Sequence, residues 1–186
     1  GFDGLIEDGS QRSYFPNGFN FYVYAATLFD TSVDYEELKK DYFSHAYGEI
    51  YEDVISYMTK ITKAFDINYL MSSNFYAPQR VPALRSVHEI TAEIEPILLA
   101  HKNMPKRAQT VAVRLLLKHL EYCNALADIF ILKALGADVE AKKLYLNFLD
   151  SFGKYEVEIE RYFDQYMFQH SIKRLVDKPA TFYENS

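Results

Sequence analysis

From Phe19 to about Val176 the apolar residues recur at intervals of three and four, the spacing that gathers them on one face of an α-helix. The pattern predicts a first helix over Phe19–Phe29, started by Pro16-Asn17-Gly18 with Asn17 as its cap. Phe19, Phe21, Tyr22, Val23, Tyr24, Leu28 and Phe29 cover nearly its whole circumference, so it is expected to be the central helix. Asp30-Thr31-Ser32 ends it. Asp34 then caps a second helix with Glu37 three positions on, an Asp form of the capping box, and Gly48 closes it. A third helix follows with the inward series Ile50, Val54, Met58 (with Tyr57), Ile61 and Phe65.

Residues 67–84 are less regular, and Pro78 and Pro82 point to a loop with at most a short turn near Tyr69. Ser86 is placed as the cap of a helix from about Val87 to His101, with Pro96 expected to kink it. Pro105 suits a first helical position, and no Gly or Pro interrupts the chain from there to Leu135. A final long helical segment is expected over Val139–Val176, with Gly153 its weak spot. The fold class is therefore all-α: a bundle of about six helices, two of them long, with a short non-helical N-terminal arm. The division is residues 1–18 as arm or junction, 19–178 as the helical domain and 179–186 as a tail.

Composition and charge sharpen this picture. The chain has 186 residues, enough for one self-sufficient core, and carries 16 Tyr and 14 Phe but no Trp. Its formal charge is −6 with scattered Lys and Arg, which argues against a nucleic-acid partner. No apolar run reaches the roughly 20 residues of a membrane span, so no membrane partner is expected. The chain opens on Gly1 rather than Met, which leads us to expect a processed or excised piece of a longer protein.

The chemistry visible in the sequence is sparse. There is no G-x-S-x-G elbow, no G-x-G-x-x-G and no P-loop. His88-Glu89 begins like a zinc-protease motif, but Ala92 stands where the second His is needed. His119 and Cys123 share a helix face and could form half a metal site; a packed Cys beside a surface His is the simpler reading, so neither metal nor cofactor is expected. The acid pairs Glu89/Glu93 and Glu156/Glu160 read as solvated helix faces. Glu7, Asp8, Gln11 and Arg12 differ, because they flank the Gly9-Ser10 turn rather than a helix. They are the candidate contacts to a polar ligand. Two readings of this arm stay open: a solvated lead-in, or a loop lining a pocket.

Several features occur in a telling order: GLIEDG over Gly4–Gly9, Tyr22-Val23 with Ala25, Leu28-Phe29-Asp30, Asp34–Leu38 and Tyr47-Gly48. In that order they resemble a family of large, mostly uncharacterised bacterial proteins of glycoside-hydrolase type. That family carries a barrel akin to the hexosaminidase and α-glucuronidase barrels, followed by a helical C-terminal region. The resemblance covers residue 4 to about residue 60; Phe29 stands where the family has Trp, and Glu49 where it has a small residue. It implies a non-catalytic helical module that braces an upstream barrel of the same parent chain and edges its substrate cleft. Carbohydrate would be met only through that parent, whose catalytic carboxylates belong to the barrel. Two alternatives are a free-standing protein–protein interaction module and a small-molecule-binding bundle.

Overall fold

The computed structural model describes residues 12–180. Its α-helices are α1 Phe19–Phe29, α2 Tyr35–Tyr47, α3 Tyr51–Phe65, α4 Ile67–Leu70, α5 Val81–Ala100, α6 Arg107–Ala134, α7 Asp138–Gly153, α8 Glu156–Ile159 and α9 Gln165–Asp177. Short 3-10 turns occupy Gly48–Ile50 and Pro78–Arg80. Among the described residues there is no strand, only an isolated antiparallel bridge between Ser13 and Phe163. The all-α bundle stands.

Helix starts follow local chemistry. The Asp34 carboxylate accepts the Glu37 amide at 2.9 Å, as the cap signal requires. Gly18, not Asn17, occupies the cap position of α1, and the Asn17 carboxamide accepts from Phe19 N at 3.1 Å. Gly48 ends α2 with φ +59 and ψ −132, a backbone state open essentially to glycine. A Cβ there would also come within 2.9 Å of Met104 Cε.

The principal helix is α6. Gln109, Val113, Leu116, Leu120, Cys123, Ala127, Phe130 and Ala134 are all buried along it, in steps that alternate between four and three residues. This is the seam of a coiled coil. On α5, Leu84, Val87, Thr91, Ile94 and Leu98 repeat the same spacing. The two helices run antiparallel: His88 Nε2 meets Asp128 Oδ1 at 2.8 Å, and Thr91 Oγ1 donates to Asn124 Oδ1 at 2.8 Å. Away from the seam, Leu115, Tyr122 and Ile129 form a second buried row, one heptad apart, against α7, α8 and α9. One core therefore joins α1, α2, α3 and α5 to α6, and another joins α7–α9 to the other side of α6.

Several expectations are corrected. The helix over Phe19–Phe29 is not central: Phe19 alone is buried, Leu28 is 61% exposed and Phe29 97% exposed. The fifth helix begins at Val81 rather than Val87. Pro82 sits in its first turn, where no amide bond is lost, and Ser86 Oγ donates back to Ala83 O from inside the helix. Pro96 lies within α5 without ending it. The sixth helix starts at Arg107, two residues beyond Pro105. The segment 139–176 is three helices, the first ending at Gly153 and the second at Ile159.

Both ends of the described chain are tied to this body. Lys133 is fully buried, and its ammonium donates to Asp138 Oδ1 at 2.5 Å, to Val176 O at 3.1 Å and to Lys178 O. Asp138 Oδ2 accepts Ala180 N at 2.9 Å, so residues 179 and 180 are held by the α6–α7 corner; 181–186 of the expected tail lie outside the described residues.

Substituting Gly48→Ala is expected to cost about 1–3 kcal/mol, the scale for forcing a side chain into that backbone region. Urea unfolding of the variant measures it; an unchanged midpoint would contradict the strain argument.

Candidate functional site

The arm meets the body in residues 12–18, and two clefts border it. Tyr14 N donates to Tyr162 O at 2.8 Å, and Asp164 N donates to Arg12 O at 3.0 Å. The Arg12 guanidinium lies 2.6 Å from Asp164 Oδ2. Phe15 inserts its ring beside Phe163, with centroids 4.4 Å apart, and near Tyr122 at 5.3 Å. Of the predicted ligand contacts, Arg12 is thus engaged by Asp164. Glu7, Asp8 and Gln11 lie outside the described residues.

Beside the arm opens a cleft of about 1020 Å³. Phe21 and Tyr22 of α1, Tyr42 of α2, and Val111 and Leu115 of α6 wall it, and Arg107 and Arg161 stand at its edges. Tyr42 OH accepts Gly18 N at 2.7 Å, which fixes the arm against α2. Tyr22 OH is turned to Asp41 Oδ2 at 2.5 Å. Tyr47 also lines the cleft yet is fully buried, and its hydroxyl has no hydrogen-bond partner among the described residues. Burial raises its pKa above the ordinary phenol value. Among the described residues no carboxylate lines this cleft.

The second chemical cluster lies inside the bundle. Tyr57 OH and His119 Nδ1 are 2.8 Å apart, and Cys123 Sγ is 3.5 Å from His119 Nε2. The His119 ring has Tyr57 on one side and Phe15 5.7 Å away on another. His119 is therefore not the surface histidine expected. Burial pushes its pKa down to about 4 and pushes the Cys123 thiol up to about 12. A nucleophilic cysteine needs the reverse, a low thiol pKa beside a protonated imidazole. Here both groups stay neutral at pH 7, and the cluster packs rather than reacts.

Among the described residues no three of His, Cys, Asp and Glu converge as a metal site. His88 pairs with Asp128, and Glu93 with Lys60 at 2.6 Å. Among the described residues no helix is long and apolar enough to cross a membrane.

Sequence reasoning missed the cleft because Arg107 and Arg161 are remote along the chain. The one available signal was the aromatic coverage of α1, read there as core. In comparisons with known proteins, the chain matches no family model, no curated protein and no solved structure.

The His119 environment generates a pH prediction. Its imidazole titrates near 6.5 when unfolded and near 4 when folded, so the unfolded chain binds more protons between those values. The contribution is complete above about pH 6.5 and is lost as pH falls toward 4. It amounts to at most on the order of 3 kcal/mol. Urea midpoints at pH 7.5 and 4.5 should fall further in the wild type than in His119→Asn. Equal falls would contradict the assignment.

Proposed function

We propose that this chain is a non-catalytic helical module of a carbohydrate-active enzyme of glycoside-hydrolase type. It braces a barrel that precedes it in the parent protein and edges the substrate cleft of that barrel. The observation that carries the reading is the anchoring of the arm. Arg12 is held by Asp164, Ser13 bridges Phe163, and Phe15 is stacked in the aromatic core. A segment arriving at residue 12 is therefore fixed in direction relative to α6, which is what a bracing module requires.

Two further features support it. The order of features from Gly4 to Gly48 resembles the junction of that family. Leu28 and Phe29 project from the end of α1, an apolar tip suited to contact with the barrel. Within the described residues the buried Cys-His pair is held neutral, so it supplies no activated nucleophile. The structural part falls to this chain and the chemistry to the barrel.

Assays with a panel of aryl glycosides test the division of labour. The 186-residue chain is expected to give no turnover above buffer. In the parent protein, Phe15→Ala should lower the melting temperature and the glycosidase activity together. Robust hydrolysis by this chain alone would defeat the proposal.

A further inference from the structure

We infer that the cleft between the arm, α1, α2 and the start of α6 binds an amphipathic carboxylate: an anionic head on an apolar body. The inference stands apart from the bracing role and does not depend on it.

Three independent features converge on one ligand chemistry. The first is charge. The chain as a whole is −6, yet this cleft of about 1020 Å³ carries Arg107 and Arg161 and, among the described residues, no carboxylate. Neither arginine has an ion-pair or hydrogen-bond partner among the described residues, a state they share with Arg85 and Arg174, whereas Arg12, Arg80 and Arg114 are engaged. Two unengaged guanidiniums at one opening are donors arranged for an anion.

The second feature is the end of α6. Arg107 and Ala108 lie in its first turn and line the cleft, and among the described residues no side chain caps the helix. A helix of 28 residues therefore presents unbonded first-turn amides and the positive end of its dipole beside the arginines.

The third is Tyr47. It is fully buried beneath the cleft with an unpartnered hydroxyl. A buried hydroxyl left without a bond is costly, and such groups are rare unless a ligand or water completes them. It lies under walls that combine Phe21, Val111, Ala112 and Leu115 with the rings of Tyr22, Tyr42 and other tyrosines. Those rings and aliphatic side chains offer contact to an apolar or aromatic body, and the two arginines offer partners to an anionic head. The size fits as well, since small-molecule sites run up to roughly 1,000 Å³.

Calorimetric titration of the whole chain with octanoate, below its micelle-forming concentration, tests the inference, with octanamide as the uncharged comparison. The wild type should bind octanoate saturably at one site and octanamide far more weakly. Arg107→Gln and Arg161→Gln, both at exposed positions, should each weaken octanoate by roughly tenfold. Tyr47→Phe should weaken it severalfold while leaving the melting temperature equal or higher, because an orphaned hydroxyl is removed. Equal affinity for octanoate and octanamide, arginine variants that bind as the wild type does, or no saturable binding would overturn it. Unchanged affinity in Tyr47→Phe would overturn the role given to that hydroxyl.

Discussion

The structure depends on one helix being buried on two sides at once. On α6 the row from Gln109 to Ala134 closes against α5 and its neighbours, while Leu115, Tyr122 and Ile129 close against α7–α9. Neither half of the chain can bury its apolar face without that helix. Hydrophobic burial is roughly proportional to area and has no direction, so the shared wall supplies both cores with one element. What is specific about the arrangement lies in its spacing. The alternating three- and four-residue steps on α5 and α6 let their side chains interdigitate, and the His88–Asp128 and Thr91–Asn124 contacts set the register.

The same constraint governs the chemistry. Groups that could react are drawn into the packed interior and lose their charge there. His119 and Cys123 sit on the seam side of α6, beside Tyr57, and burial keeps both neutral. Lys133 is buried as well, with its Nζ donating to Asp138 and two backbone carbonyls. Its role is to pin the C-terminal segment. At the start of α6, where the helix emerges beside the arm, Arg107 is without a partner among the described residues. That is also where the 1020 Å³ cleft opens. The scaffold and the candidate ligand site are thus two consequences of how α6 is placed.

Local signals were legible in the sequence. Asp34 with Glu37, Gly48 as a stop, and the limits of Phe19–Phe29 all follow from chemistry within a few residues. The rank of the helices was not legible. Apolar coverage made α1 look central, yet Phe29 is 97% exposed, because centrality depends on how many neighbours a helix has. The seam of α6 was partly hidden, since Gln109, Cys123, Ala127 and Ala134 occupy positions where large apolar residues would have drawn attention. The break after Gly153 was marked by its glycine, whereas the break after Ile159 follows from the arm crossing there to pair with Tyr162 and Asp164. Of the candidate site, Arg12 could be named but not its partner. That Arg107, Arg161 and Tyr47 line one cleft is a product of tertiary structure alone.

Hydrogen–deuterium exchange under native conditions tests the shared-wall claim most directly. If α6 belongs to both cores, amides of α3, of the middle of α6 and of α9 should exchange through one common global opening, with the same dependence on urea. Exchange of α7–α9 through a separate, lower-energy opening that leaves α6 and α3 protected would contradict it.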